Sequence, residues 1–297
     1  MTTRIDLSSL PLPNILTSID FDAELDALKA DLITRYPSVA AALDLESEPL
    51  LKLLEVFAYR IILKSGEINA KSKGLLLAYA TGSDLDHLGS NVDVYRLLIS
   101  PANPNSVPPT PARYETDEAF RRRIQLSQER DCAGSTGAYQ YWALSGDADV
   151  RDVSVLTPTA GVVELYIQSA SAEIAPQALL DTVATALDPD THRPFTDSLS
   201  ILAATPFDFE VVAELTLYQG PDAAVVQANA QTALNTYLDQ VSYLGYDATR
   251  SGLFAALHQS GVQRVNLIAP ANDVVIPASR YGRCMAQTIS VVEYRDV

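Results

Sequence analysis

The sequence predicts an α+β protein: an N-terminal helical bundle-forming domain followed by two small α+β domains with mostly antiparallel sheets. Three observations predict it. The first hundred residues carry apolar side chains at helical spacing. Five prolines then fall at Pro101, Pro104, Pro108, Pro109 and Pro111. Beyond residue 150 the apolar period changes from about 3.6 to two. The boundaries drawn from these changes are 1–100 for the helical domain, 101–115 for a proline-rich linker, 116–205 for the first α+β domain and 206–297 for the second.

In the helical part, "FDAELDALKADLITRY" places Leu25, Leu28 and Leu32 on one face, with acids crowding its first turn. A longer pattern begins at Pro49, a residue suited to the first turn of a helix because no amide partner is lost there. Leu50, Leu54, Phe57, Ile61, Ile68 and Leu75 follow as a single stripe. Gly66 and Gly74 are candidate bends, and Gly82 with Ser83 is the expected end of this helix. "GSDLDHLGSNVDVYRL" reads as a short second helix that breaks at Gly89. Such a stripe serves either a core helix of this chain's own bundle or a helix that packs on other chains. These six residues are the candidate interface.

The prolines leave no room for regular structure, since each removes an amide donor and restricts its predecessor. Thr116 then caps a helix whose first turn holds Asp117 and Glu118, with Phe120 and Ile124 on its apolar side. Arg121, Arg122 and Arg123 point about 100° apart on that helix, so they form no single basic face. They are expected on a solvated helix with salt bridges.

"VRDVSVL" and "GVVELYIQ" are strands around a "TPTA" turn; "PQALLDTVATAL" is a helix with Leu179, Leu180, Val183 and Leu187 inward; "SLSILAA" is a strand. In "FDFEVVAELTLY", Phe207, Phe209, Val211, Ala213, Leu215 and Leu217 alternate with Asp208, Glu210, Glu214 and Thr216. That pattern is an antiparallel strand with one buried face. "PDAAVVQANAQTALNTYLDQV" is a helix burying Val226, Leu234, Tyr237, Leu238 and Val241. Val150, Val153, Val155 and Pro158 match Val262, Val265, Leu267 and Pro270 after a helix end. A duplicated unit or a chance match of apolar strands explains this.

Composition narrows the chemistry. The 297 residues include 21 basic and 37 acidic ones, a net charge of −16. Binding to a phosphate backbone requires clustered Lys and Arg, so nucleic acid and anionic membrane are poor partners. Two distant cysteines, Cys132 and Cys284, suit a reducing compartment better than a disulfide framework. The N-terminal "MTTRIDLSSLPLPNIL" lacks the apolar region of a secretory signal, and no run approaches the ~20 apolar residues of a spanning helix. A soluble protein is expected.

The stretch "DCAGSTGAYQYWALSG" looks most like a site, because a glycine-rich turn feeding a helix is a phosphate-binding device. It has neither the lysine nor the length of a P-loop, and it is not G-x-S-x-G. Gly134 and Gly137 are read instead as a structural hinge, with Ser135 or Thr136 capping the next helix. Cys132 would need a histidine base in space; His87, His192 and His258 each stand alone in the sequence. No spacing suggests a metal or cofactor. Glu46, Glu48, Asp84, Asp86, Asp188 and Asp190 leave a glycosidase-like pair open, although acids at helix starts already have a capping role. Tyr139, Tyr141 and Trp142 are assigned to core or interface rather than to a sugar platform.

Taken in order, several stretches resemble the baseplate J-like family, wedge components of the baseplate in contractile phage tails and tailocins. They are "IDLSSLPLPNIL" with "DFDAEL", "LESEPLLKLLEVFAYR", "LAYATGSDLDHLGSNVDVYR", "YETDEAFRRRI", "AGSTGAYQYWA", "VRDVSVLTP" and "RPFTDSLSI". No single stretch is diagnostic; the ordered set to about residue 205 carries the resemblance, and the C-terminal third matches more loosely. The resemblance implies a structural, non-enzymatic virion or tailocin protein, assembled in the host cytoplasm. It implies a tail-protein-I-type partner, a second copy of the chain, and a ring of wedges around the central hub or spike. That ring would connect to sheath-initiating proteins and to the fibre attachment region. The rival readings are a cell-wall hydrolase using exposed carboxylates and a carbohydrate-binding adhesin at the tail tip.

Overall fold

The computed structural model describes residues 7, 10, 19–188, 192, 194, 196–220 and 222–295. Most of "IDLSSLPLPNIL", together with Asp190, Arg193 and Phe195, lies outside the described residues. The chain divides into two compact units, Met1–Tyr95 and Arg96–Val297.

The first unit is built on two helices. Helix α1 (Phe21–Arg35) starts where the Asp20 carboxylate accepts from the amides of Asp22 and Ala23, and Asp22 and Glu24 sit in its positive first turn. Its Leu25, Leu28, Leu32 and Ile33 pack on Leu43, Leu51 and Leu54. Leu43 belongs to the one-turn helix α2 (Ala40–Leu43). Helix α3 (Pro49–Gly74) has Pro49 in its first turn. Gly66 stays inside it without interruption.

The expected end at Gly82 is corrected: α3 stops at Gly74, and Gly82 opens helix α4 (Gly82–Ser90) with a φ of 53°. A Cβ on Gly74 would meet the Asp84 carboxylate at 2.6 Å. The chain therefore needs glycine twice, once for a close approach and once for a left-handed turn. Helix α4 continues through a buried Gly89 rather than breaking there.

The second unit begins with strand β1 (Leu98–Ser100), paired antiparallel with β2 (Arg113–Tyr114). Asn103 and Thr110 exchange both backbone hydrogen bonds between them, at 2.9 and 3.1 Å. The proline segment, expected to carry no regular structure, is thus bracketed by paired strands. Its prolines sit between the paired positions, where no ladder amide is required.

Helix α5 (Asp117–Leu126) is capped by Thr116, whose hydroxyl accepts from the Ala119 amide. The expectation of a solvated arginine run is corrected here. Phe120, Arg123, Ile124 and Ser127 share the buried face, at the i, i+3, i+4, i+7 spacing. Because consecutive residues point apart, one of the three arginines can face inward while the other two do not. Arg123 does so because Glu115 pairs with it and the Ser145 hydroxyl accepts from its Nε at 3.1 Å. Arg122 pairs with Asp152.

Helix α6 (Thr136–Gly146) leads into a three-stranded sheet of order β3-β4-β5. Strands β3 (Val150–Thr159) and β4 (Val162–Ser169) pair antiparallel around Gly161, whose φ is 79°. Strand β3 therefore runs through Pro158, and the turn falls two residues later than "TPTA". Helix α7 (Gln177–Leu187) buries Leu179, Leu180, Val183 and Leu187, as its pattern predicts. It crosses to β5 (Ser198–Ala203), which is parallel to β4.

The second sheet has order β7-β6-β8. Its centre is β6 (Thr205–Tyr218), with Val211, Ala213, Leu215 and Leu217 fully buried as the alternation requires. Those residues face Val226, Ala230, Leu234 and Leu238 of α8 (Ala223–Gln240) and Leu253 and Leu257 of α9 (Arg250–Leu257). Strand β7 (Val262–Ala269) is antiparallel to β6, and β8 (Arg280–Arg295) is parallel to it. Among the described residues, three strand pairings are antiparallel and two parallel.

The two sheets share one pattern: an antiparallel edge, a centre and a parallel edge. The matched segments form the antiparallel edges β3 and β7. Yet β4 follows β3 in the chain, whereas β6 precedes β7, so the two lobes are wound in different order. Polar bonds join them within one unit. The buried Asp152 carboxylate accepts from the amides of Val153 at 2.8 Å and Leu244 at 2.9 Å. Arg151 donates to the Ser242 hydroxyl at 2.6 Å, and Tyr281 to the Glu173 carbonyl at 2.7 Å.

Candidate functional site

The glycine stretch is a turn. The Cys132 amide donates to the Glu129 carbonyl at 2.9 Å, and the Ser135 amide to the Cys132 carbonyl at 3.1 Å. The Ser135 hydroxyl then caps α6 by accepting from the Ala138 amide at 3.0 Å. That side chain spends its oxygen on the helix start. Gly134 has a φ of 85°, and a Cβ there would come within 2.8 Å of Pro194 Cγ. At Gly137 a Cβ would overlap the Glu129 carboxyl group, which lies over the positive first turn of α6. The two glycines therefore act through backbone shape and close approach, but for different reasons.

Among the described residues, no hydrogen bond joins either cysteine to a histidine. Cys132 is exposed and Cys284 half-buried, both as free thiols. Burial pushes the Cys284 thiol up, away from the thiolate. His192 stacks on Trp142 with ring centroids 3.4 Å apart, and its Nδ1 lies 2.9 Å from the Ala186 carbonyl. Among the described residues, no group of three or more His, Cys, Asp or Glu is placed to hold a metal ion. A cleft of about 300 Å³ between the two sheets is lined by Arg151, Gln168, Phe209, Tyr281, Arg283 and Cys284, among others. Arg283 in it is committed to Asp208 at 2.7 Å and Glu173 at 2.6 Å. Its proton is held more firmly as a result, chiefly by the Asp208 hydrogen bond, while Asp208 is pushed below the usual carboxylate range. Tyr139 and Tyr141 are core, and the Tyr139 hydroxyl donates to Asp197 at 2.7 Å.

The feature without an internal role is the outer side of α3. Of the six stripe residues, only Leu54 is buried, at 8% exposure, and Leu50 is half-buried. Phe57 is 52% exposed, Ile61 38%, Ile68 50% and Leu75, just past the helix, 76%. The side packed on α1 is instead the one carrying Leu51, Leu54 and Ala58. Sequence reasoning also missed Leu53, Val56, Tyr59 and Leu63, all exposed on the same helix. The signal for them was present: α3 is apolar around most of its circumference, which a helix buried on one side does not need. The seven exposed apolar side chains from Leu53 to Ile68 leave on the order of 600 Å² in solvent, the upper end for the largest patch on a monomer. Among the described residues, no helix is long and apolar enough to cross a membrane.

Comparison with known proteins is consistent along the chain. Residues 46–103, which span α3, α4 and β1, match the family model described as the Baseplate J-like N-terminal domain. Residues 131–203, from the glycine turn to the end of β5, match the Baseplate J-like central domain. The chain is 40% identical to baseplate protein J of Escherichia phage P2 over 300 residues, covering 99% of this chain and 97% of that protein. With two family domains in order over an exposed apolar helix and a capped glycine turn, and a relative matched end to end, the chain belongs to the baseplate J-like family.

Proposed function

We propose that this chain is a structural wedge component of the baseplate in a contractile phage tail or tailocin. It assembles in the host cytoplasm with a tail-protein-I-type partner and a second copy of itself. The wedges form a ring around the central hub or spike and connect it to sheath-initiating proteins and fibre attachment. The helical region of residues 1–100 serves association, and the α+β regions of 116–205 and 206–297 carry the remaining contacts. The protein acts by holding partners rather than by turning over a substrate.

The observation that carries this reading is the exposed face of α3, with Phe57, Ile61 and Ile68 in solvent. Permanent interfaces are apolar at their centre, and an isolated chain leaves that centre uncovered. Family membership supplies the kind of assembly.

Co-expression with the neighbouring tail protein, followed by size-exclusion chromatography with mass measurement, tests it. A defined complex of this chain with that partner is expected. A stable monomer that ignores the partner sinks the proposal.

A further inference from the structure

The seam between the two α+β lobes is held mainly by polar bonds. The first lobe carries the β3-β4-β5 sheet and the second the β7-β6-β8 sheet. The chain passes from one to the other at Ala204, the residue between the end of β5 and the start of β6. Ala204 is buried, and its amide donates to the Ile167 carbonyl at 2.9 Å. Two clasps hold the seam. In the first, the segment after α8 binds the first lobe. The Leu244 amide donates to Asp152 at 2.9 Å, Arg151 donates to the Ser242 hydroxyl at 2.6 Å, and the Gln168 amide group donates to the Ser242 carbonyl at 3.0 Å. In the second, the Glu173 carbonyl accepts from the Tyr281 hydroxyl at 2.7 Å and its carboxylate pairs with Arg283 at 2.6 Å. The apolar share is small: Ala204, Leu244 and Tyr281, with Tyr166 packed on them.

Closure of this seam is incomplete. The cleft of about 300 Å³ remains between the sheets, and Gln168 lines it. Gln168 Oε1, in the first clasp, is buried without a hydrogen-bond partner. So is Nε of Arg122, which pairs with Asp152 behind that clasp. The closed seam keeps both atoms dry and unpaired, whereas an open seam lets water reach them. Small polar contacts between parts of one chain behave as transient interfaces. We infer that the two lobes form a hinge: the seam opens about Ala204 and releases both clasps together, while each sheet stays folded. The clasps oppose opening and the unpaired atoms favour it. The closed arrangement therefore rests on a few polar bonds, not on a core like the one β6 shares with α8 and α9. Each lobe moves as a rigid body, so weakening one clasp frees the other.

Hydrogen exchange of the full chain under native conditions tests this, read at the Leu244 amide and at the centres of β4 and β6. Leu244 is buried and its amide is bonded to Asp152. After correction for intrinsic rates, it should nevertheless exchange at least about tenfold faster than both sheet centres. Tyr281→Phe removes only the hydroxyl of the second clasp. It should speed Leu244 exchange at least about fivefold and leave the sheet centres unchanged. That coupling separates opening of the lobes from fraying of residues 242–244 alone, which the distant hydroxyl does not affect. Leu244 exchange as slow as the centre of β6 overturns the inference, because the seam then opens only when the lobe unfolds. Leu244 exchange unmoved by Tyr281→Phe also overturns it, in favour of local fraying. Equal acceleration of Leu244 and both sheet centres does so too, because the lobes are then one cooperative body. The wild-type rates decide by themselves if the variant fails to fold.

Discussion

Replacing Arg123 with leucine removes one half of the ion pair that anchors α5. Glu115 and Arg123 are both buried, and Glu115 Oε1 also accepts from the Leu97 amide at 2.8 Å. Arg96 donates to the Glu115 carbonyl at 2.9 Å, so the cluster ties β1, the start of α5 and α6 together. Leucine fills much of the volume but takes the ion-pair partner from the buried carboxylate, which keeps only the Arg96 charge as a cationic influence; the loss costs about 3–5 kcal/mol. For a unit of this size that lowers the melting temperature by roughly 6–20 °C.

The cost depends on pH. Burial already pushes the Glu115 carboxyl above its ordinary value, and the Arg123 charge pulls it back. Without Arg123 it rises further. The folded state then holds the proton more tightly than the unfolded state, so stability grows as pH falls through the raised value and is lost as pH rises. The deficit of Arg123→Leu relative to wild type should therefore be largest at neutral pH and narrow as pH falls through the raised value. Urea unfolding followed by fluorescence reads this unit directly. Trp142 is the chain's one tryptophan and sits in α6, with its indole donating to the Arg130 carbonyl at 3.1 Å. A variant within about 1 kcal/mol of wild type at neutral pH, or a deficit that widens on acidification, refutes the argument.

Six further substitutions separate roles that the sequence leaves merged. Leu54→Asp places a charge in the α1–α3 core and should reduce helical circular dichroism, whereas Phe57→Asp should keep it and still abolish co-purification with the wedge partner. Gly134→Val should cost roughly 2–4 kcal/mol, from its left-handed backbone and the Pro194 contact, measured by the same urea titration. Gly137→Ala should cost less, because the obstructing Glu129 carboxyl is the end of a flexible side chain that can swing aside. Ser135→Ala should lose about 1 kcal/mol with its cap, and Cys132→Ala should stay within about 0.5 kcal/mol; assembly should tolerate both. Failure of Ser135→Ala or Cys132→Ala to assemble would reopen the glycine stretch as a functional site.

Much of the fold was legible because local rules decided it. The Thr116 and Ser135 caps, the Pro49 start and the alternation of β6 are each set within a few residues of chain. The errors have a common cause. Gly82 reads as a stop signal, but α3 ends at Gly74, where the Asp84 carboxylate approaches too closely for a Cβ. The arginine run reads as solvated, but Glu115 reaches Arg123 across a turn. The proline segment reads as a linker, but hydrogen bonds between Asn103 and Thr110 close it. In each case a partner supplied from elsewhere outweighed the local preference.

The sequence by itself determined most helices and strands between residues 21 and 241, that the glycine stretch matches neither a P-loop nor G-x-S-x-G, and the family to which the chain belongs. These follow from spacing, side-chain chemistry and motif order, which are local. Only the tertiary structure decided which side of α3 is covered. Periodicity locates an apolar stripe but cannot say whether this chain or another one buries it. Packing of α1 on Leu51 and Leu54 left Phe57, Ile61 and Ile68 in solvent, and the candidate interface lies there because burial is a property of the whole unit rather than of any residue's neighbours in sequence.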